Sequence, residues 1–177
     1  MKNSNEDNNE IKLAGIVRNS ITDGPGIRFT IFVQGCPHHC KECHNESTWD
    51  FEEGKYVTID RLLEEIDKDP LLKGVTFSGG EPICQSKTLK KLAKKIKERA
   101  LDLVVFTGYT YEQLLEKEDE DVNELLELTD LLVDGPFEIE NRDLSLKFRG
   151  SSNQRIIDLN KTRKYAKLML ANDYMMW

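Results

Sequence analysis

Three of the chain's four cysteines and all three of its histidines fall within eleven residues, Gly35 to Asn45. Cys36, Cys40 and Cys43 have the spacing Cys-x3-Cys-x2-Cys, which places three thiols in one tight loop. Such a loop suits zinc, which prefers four closed ligands, or an iron–sulfur cluster, which is held by thiolates. Histidines of the segment offer zinc a fourth ligand, whereas a four-iron cubane is left one ligand short. A vacant corner is a handicap for a structural site but an advantage for a catalytic one, because a substrate can bind there.

The bulk composition argues against several functional classes. The 177 residues include 25 Lys and Arg and 32 Asp and Glu, which give a net charge of −7 and a pI near 5.1. A nucleic-acid-binding domain usually has a basic surface, so we expect no nucleic-acid partner. No apolar segment suits a signal peptide or a membrane span, so we expect a cytoplasmic protein without a membrane partner. In a reducing cytosol, four cysteines favour metal or redox chemistry over disulfides.

Hydrophobic periodicity predicts an alternation of strands and helices after a polar tail. The expected strands are 28–35, 74–80, 101–108, 130–135 and 154–159. The expected helices are 58–69 with Thr58 as N-cap, 86–100, 110–129 with a break near 118–121, and 160–172. Alternation at roughly 30 residues per unit indicates parallel βαβ units. We therefore expect a disordered tail at 1–10 and a single α/β domain at 11–177.

The length limits the α/β architectures that are possible. A complete eight-unit βα barrel takes about 250 residues, which is more than this chain has. An open, partial βα barrel of five to six parallel strands fits 177 residues better. Functional residues of parallel α/β folds lie at the carboxyl ends of the strands, and we expect the cysteine loop at that edge.

Five segments of the sequence resemble a known family. They are DGPGIRFTIFVQGCPHHCKECHNESTW (23–49), TFSGGEP (76–82), FTGYTYEQL (106–114), DLLVDGPF (130–137) and LKFRGSSNQRIIDL (146–159). Three cysteines at this spacing, followed by Gly-Gly-Glu-Pro, look like the radical S-adenosylmethionine (SAM) superfamily. Within it, the chain resembles the activases of glycyl-radical enzymes. The last two segments and the short length favour the branch that serves anaerobic ribonucleoside-triphosphate reductase.

The resemblance implies an oxidoreductase in which Cys36, Cys40 and Cys43 hold a [4Fe–4S] cluster and its free iron binds SAM. The reduced cluster would cleave SAM to a 5′-deoxyadenosyl radical, which takes a hydrogen atom from a glycine of the reductase. A flavodoxin or ferredoxin is the expected electron donor. Two alternatives stay open. One is activation of pyruvate formate-lyase or a related glycyl-radical enzyme, and the other is a zinc-binding module without catalysis.

The resemblance also assigns SAM contacts to the segment Gly79, Gly80 and Glu81. Small residues let the backbone approach a ligand closely, and backbone carbonyls can accept hydrogen bonds from the SAM ammonium group. Glu81 has a second possible role, which is to hold the loop. Taken alone, Gly-Gly-Glu-Pro is also consistent with a simple turn.

Two more groups of residues are candidate cofactor contacts. Backbone groups around Glu42, Cys43 and His44 are expected near the adenine of SAM. The superfamily often has an aromatic residue where Glu42 stands, so this chain departs from the pattern. Asn153 and Arg155 belong to a polar block that could bind the SAM carboxylate, the ribose or the partner. The same block is equally consistent with a surface turn whose side chains cap the backbone.

Four further residues have expected structural roles. A fourth thiolate ligand would block SAM, so Cys84 is predicted to be a small buried hydrophobic side chain. His38 and His39 are expected to be exposed loop residues and not ligands. Trp49 is expected in the core or as a cap beneath the cysteine loop.

Overall fold

A computed structural model describes residues 9–175, which form one seven-stranded sheet and six helices. The strands are β1 (Glu10–Ser20), β2 (Arg28–Val33), β3 (Lys55–Thr58), β4 (Gly74–Gly79), β5 (Asp102–Phe106), β6 (Leu131–Asp134) and β7 (Arg155–Asp158). The helices are α1 (Ile59–Ile66), α2 (Ser86–Glu98), α3 (Tyr111–Glu116), α4 (Glu120–Leu128), α5 (Leu159–Tyr165) and α6 (Asn172–Met175). Most of the predicted tail lies outside the described residues, and its last residue, Glu10, already begins β1.

The strands lie in the order β3-β1-β2-β4-β5-β6-β7. Neighbours are parallel from β2 through β4 and β5 to β6, as the α/β class requires. β1 is antiparallel to β2 and β3, and β7 is antiparallel to β6. The predicted α/β class is correct, but four neighbouring strands are parallel where five or six were expected. β7 returns antiparallel because the connection from β6 has only a short 3₁₀ turn (Ile139–Asn141), whereas a parallel crossover usually needs a helix.

One face of the sheet carries the main hydrophobic core. Alternate residues of the parallel strands point to this face, and the amphipathic helices α1, α2 and α4 cover it. Its buried side chains include Phe29, Ile31, Phe77, Leu89, Leu92, Ile96, Leu103 and Leu125. The helices supply Leu and Ile at spacings of three and four, which places them on one stripe. The other face is covered by irregular segments and by the short helix α6, whose Tyr174 packs against Val104, Val133 and Ile156.

Polar residues on the other face tie the segment 20–27 to the sheet. Arg28 is fully buried, and its Nε donates to Thr76 Oγ1 at 2.7 Å. The Arg28 guanidinium also lies 2.6 Å from the carboxylate of Asp102. The Thr76 hydroxyl in turn donates to the backbone oxygen of Asp23 at 2.7 Å. A buried cation needs such partners, and here they hold the irregular segment in place.

The helices and strands differ from the sequence-based expectation in two places. β1 and β3 were not predicted, although both are well-formed strands that pair with each other. The closing helix, expected at 160–172, ends at Tyr165 because Ala166 takes a φ of 51°. Leu170 then pairs with Ile157 as an isolated bridge. No helix in the described part of the chain is long and apolar enough to cross a membrane.

Candidate metal centre and adjoining cleft

The cysteine loop begins where β2 ends, at the carboxyl edge of the parallel strands. Two backbone hydrogen bonds close it, from Gly35 N to Thr48 O at 2.7 Å and from Cys36 N to Trp49 O at 3.1 Å. Gly35 has a φ of 96°, and a Cβ at this position would overlap the ring of Phe51. Glycine is therefore required at the turn that starts the loop.

All three loop cysteines line one cavity of about 140 Å³. Burial raises the pKa of the Cys36 thiol and that of the Cys40 thiol above their ordinary value, which favours the protonated form of both side chains. Thiolate binding to iron or zinc would have to displace these protons. Among residues 9–175, no three His, Cys, Asp or Glu side chains converge on a position for one metal ion. A cubane has no need of such convergence, because each thiolate binds a different iron.

The Gly79–Gly80 pair lies directly beside the cysteine loop. Gly80 N donates to Val33 O at 2.8 Å, and the next amide, Glu81 N, donates to Gly35 O at 2.8 Å. Gly79 has a φ of 92°, and a Cβ on Gly80 would overlap Gly35 O. Both glycines line the cavity that the cysteines line. A thiol donor set facing a side-chain-free backbone fits an iron–sulfur cluster with a small ligand beside it.

Glu81 does not project into this cavity with a free carboxylate. Its side chain is fully buried and accepts hydrogen bonds from Ile83 N at 3.0 Å, Thr107 Oγ1 at 2.9 Å and Gly108 N at 2.9 Å. His38 Nε2 lies 2.6 Å from its second oxygen. The geometry favours the loop-holding role of Glu81 over a cofactor contact by its carboxylate. His38 is correspondingly not the exposed loop residue that was predicted, since its side chain is only 17% exposed.

The remaining residues of the cysteine loop are more open to solvent. Glu42 is exposed with a φ of 56°, and His44 is exposed with its ring 5.5 Å from the ring of Phe137. His39 is exposed as expected, and its ring stacks on Trp49 at a centroid distance of 4.6 Å. Trp49 is half-buried beneath this exposed ring and also lines the cysteine cavity. The adenine contacts expected around Glu42 remain a prediction.

A much wider cleft of about 1300 Å³ adjoins the cysteine cavity. The two share part of their lining, namely Cys43, Asn45, Ser78, Phe106, Phe137 and Gln154. The outer part of the cleft is formed by residues 20–23 on one side and 144–150 on the other. Of the three cysteines, Cys43 lines both the cysteine cavity and the wide cleft, so the cavity opens into the cleft.

Asn153 and Arg155 of the polar block 149–155 form hydrogen bonds within the protein, and Gln154 lies nearer to the cysteines. Gln154 lines both cavities, whereas Asn153 donates from Nδ2 to Pro136 O at 2.8 Å. Arg155 Nε donates to Asp134 Oδ1 at 3.0 Å, and its terminal nitrogens donate to Glu112. These hydrogen bonds raise the pKa of the Arg155 guanidinium and occupy it in joining β7 to its neighbours. A SAM contact by Asn153 or Arg155 remains a prediction.

Cys84 differs from its sequence-based prediction. The residue is exposed, so it is not the buried hydrophobic side chain that we expected. Packing around the sulfur and the nearby charge of Glu81 raise the pKa of its thiol to about 11. Cys84 also lies outside the described lining of the cysteine cavity.

Comparison with known proteins identifies the family. A family model described as "4Fe-4S single cluster domain" matches residues 22–157. The anaerobic ribonucleoside-triphosphate reductase-activating protein of Vibrio cholerae is 37% identical over 145 residues, which cover 77% of this chain and 90% of that protein. The proteins of the same name from Escherichia coli K12 and phage T4 are 34% and 32% identical, covering 76% of this chain and 90% and 85% of theirs. The chain belongs to this family of reductase-activating proteins.

A solved structure supports the fold of the family member described here. QueE from Escherichia coli superimposes with a TM-score of 0.51 at 18% identity, over 61% of this chain and 58% of that chain. At this identity the likeness concerns the fold alone. It agrees with a sheet that is parallel in the middle and flanked by helices.

Several residues of the site were not singled out from the sequence. Thr107 and Gly108 line the cysteine cavity just after β5, and Phe137 lies after β6. The rule that functional residues follow the carboxyl ends of parallel strands could have indicated all three. No local signal marks His38 as the partner of Glu81, because they are 43 positions apart in sequence.

Proposed function

We propose that this chain is the activase of an anaerobic ribonucleoside-triphosphate reductase and that it acts by reductive cleavage of SAM. The observation that carries the proposal is the cavity in which the three cysteine side chains meet the Gly79–Gly80 backbone. The family relationship names the target, and the thiol donor set fits the cluster. When bound, the [4Fe–4S] cluster would supply one electron to the SAM sulfonium, yielding methionine and a 5′-deoxyadenosyl radical.

The residues of the chain perform the supporting tasks. Cys36, Cys40 and Cys43 lose their thiol protons and hold the cluster at the carboxyl edge of the sheet. The Gly79–Gly80 segment offers backbone groups to the amino acid moiety of SAM at a place where a side chain would collide with the backbone of β2 or of Gly35. Phe106 and Phe137 line the cavity and give it apolar walls.

The wide cleft is the proposed entrance for the reductase. A radical that abstracts hydrogen from almost any C–H bond must meet its target glycine within the protein, so the glycine has to enter the site. A cleft of about 1300 Å³ beside the cysteine cavity can admit a short backbone segment of a partner. A flavodoxin or ferredoxin is the proposed source of the electron.

The test combines anaerobically reconstituted protein, a reductant, SAM and the glycyl-radical subunit of the reductase. We expect about four irons per chain, 5′-deoxyadenosine as a product, and a glycyl radical in the electron paramagnetic resonance (EPR) spectrum of the reductase. Pyruvate formate-lyase in place of the reductase is the matched control and should give no radical. A colourless protein that binds zinc and leaves SAM intact would refute the proposal.

A further inference from the structure

One short hydrogen bond connects the cysteine loop to the segment that follows the two glycines. His38 stands between Cys36 and Cys40, and its Nε2 lies 2.6 Å from Oε2 of Glu81. The His38 side chain is 17% exposed and that of Glu81 is fully buried. Glu81 directly follows Gly80, so the bond links the proposed cluster ligands to the proposed SAM-binding backbone.

The Glu81 end of this link is fixed by its surroundings. Ile83 N and Thr107 Oγ1 both donate to Oε1, and Gly108 N donates to Oε2 beside His38. Three of these donors come from the segments that follow β4 and β5, which are held by the sheet. A carboxylate with this many donors has little freedom to move, so the position of His38 is defined by the sheet.

The ring of His38 also packs closely against Gly108 and Tyr109. A Cβ on Gly108 would overlap Cδ2 of the ring, so only glycine permits this approach. The ring of Tyr109 meets the His38 ring edge-on at a centroid distance of 4.5 Å. Packing on two sides therefore directs Nε2 toward Glu81.

We propose that His38 is a positioning residue that sets the cysteine loop in register with the Gly79–Gly80 segment through Glu81. The inference rests on the proposed function and adds a determinant of SAM binding outside the three cysteines and two glycines. Without the His38 donor, the loop between Cys36 and Cys40 loses its direct side-chain hydrogen bond to Glu81. The proposed cluster and the Gly79–Gly80 backbone that contacts SAM would then no longer be held at a fixed separation.

The test compares His38→Ala with His38→Gln, whose side-chain amide can donate to Glu81 in place of Nε2. His39→Asn is the matched control, because it changes the adjacent histidine, makes no contact with Glu81 and tolerates a positive φ. SAM affinity is measured from the change that SAM produces in the EPR spectrum of the reduced cluster. Loss of a charge-assisted hydrogen bond should weaken SAM binding on the order of ten-fold in His38→Ala. His38→Gln should stay within about three-fold of the parent and His39→Asn should match it.

Hydrogen exchange of backbone amides 36–48 gives a readout that does not depend on SAM. We expect faster exchange in His38→Ala and parent-like exchange in His38→Gln. Equal exchange and equal SAM affinity in His38→Ala and the parent would overturn the inference, as would a His38→Gln variant as impaired as His38→Ala. If His38→Ala fails to take up iron, recovery of iron in His38→Gln supports the inference and its absence refutes it. A parent protein that never binds SAM would instead refute the proposed function, while the exchange data still decide the role of His38.

Discussion

Cys40 and Cys84 carry the same side chain in different surroundings. Cys40 lines the cysteine cavity, whereas Cys84 is exposed and lies outside the described lining of that cavity. We predict that Cys40→Ala abolishes cluster assembly, because the cluster then has two protein thiolates left. Cys84→Ala should leave iron content unchanged at about four per chain.

Iron and sulfide analysis after anaerobic reconstitution decides between these outcomes. Full iron in Cys40→Ala would show that the cluster is not held by this loop. Loss of iron in Cys84→Ala would show that the exposed thiol is a ligand after all.

Gly80 and Gly15 provide a matched pair for the close approach of the two loops. A Cβ on Gly80 would overlap the backbone oxygen of Gly35, whereas a Cβ on Gly15 would have no atom within 4 Å. We predict that Gly80→Ala lowers the free energy of unfolding by about 1–3 kcal/mol through overpacking. Gly15→Ala should leave it unchanged or raise it slightly.

Denaturation under anaerobic conditions measures both variants, and iron content shows whether the cysteine loop has been displaced. A fully stable Gly80→Ala protein would mean that the glycine segment can move away from the loop without cost. In that case Gly80 would matter only for ligand approach.

At the residue scale, the sequence alone could predict those candidate site residues that belong to one local motif. The cysteine spacing and the Gly-Gly pair both point to the cavity that the structure shows. The sequence alone could not predict the role of a side chain that forms hydrogen bonds with residues distant in sequence. From the sequence alone, Glu81 could contact the cofactor or hold the loop, and Arg155 could contact the cofactor or belong to a structural turn. The hydrogen bonds that Glu81 makes with Thr107 and Arg155 makes with Asp134 depend on tertiary contacts, which no local motif reveals.

At the scale of elements, Arg155 joins β7 to β6 and α3. It donates to Asp134, which is 1% exposed, and to Glu112 on α3. Its removal would leave a buried carboxylate without its cation, so we predict that Arg155→Leu lowers the free energy of unfolding by about 3 kcal/mol. Arg99→Leu is the control, because Arg99 pairs with the exposed Asp67 and should cost less than about 1 kcal/mol.

The decrease in the free energy of unfolding caused by Arg155→Leu should also depend on pH. Hydrogen bonds from Arg155 lower the pKa of Glu112 from 4.5. A carboxylate with a lowered pKa contributes stability that is present above its unfolded pKa and is lost as pH falls through its folded pKa. The stability difference between parent and Arg155→Leu, measured by urea denaturation, should therefore shrink below pH 4.5. A difference that grows on acidification would contradict this assignment.

Strand prediction succeeded where apolar residues form a short continuous run. β2, β4, β5, β6 and β7 have such runs because both faces of these strands are covered. β1 was not predicted because apolar and polar residues do not alternate along the whole of its sequence, EIKLAGIVRNS. Its pairing with β2 also contains two register shifts. The predicted helix at 160–172 was too long because periodicity did not reveal the left-handed Ala166.

Helix α2 uses part of its charged surface to contact another helix. Its lysines give it a basic face in an otherwise acidic chain. Lys90 and Lys94 both pair with Glu124 of α4, and their hydrogen bonds lower the pKa of Glu124 to about 2. This part of the basic face is neutralised within the protein and serves to join two helices.

At the scale of the whole molecule, the site lies at the carboxyl edge of the parallel strands, and α1, α2 and α4 cover the core face of the sheet. The cysteine loop, the glycine pair and Thr107 all follow carboxyl ends of adjacent parallel strands, so they meet at one edge. Four parallel strands are enough to bring these segments together. The antiparallel β1 and β7 extend the sheet on either side and carry the segments 20–27 and 136–154 that form the cleft.

Two of the most exposed apolar side chains of the described chain lie on opposite sides of this cleft. Ile21 is 72% exposed and Leu144 is 81% exposed, and both belong to the cleft lining. Apolar side chains at the mouth of a site gain free energy when a partner covers them. We predict that they contact the reductase, so that the double variant Ile21→Ser and Leu144→Ser raises the KM for the reductase about ten-fold or more. Leu71→Ser is the control, because Leu71 is 73% exposed but lies outside the cleft lining.

SAM cleavage without the reductase separates docking from chemistry in this double variant. Neither side chain lines the cysteine cavity in the described structure, so uncoupled cleavage should match the parent. Glycyl radical yield at low reductase concentration should fall and should recover at high concentration, as expected when binding alone is weakened. An equal fall in SAM cleavage without the reductase would mean that the two residues affect the cleavage reaction itself. An unchanged KM would mean that the reductase binds to another surface.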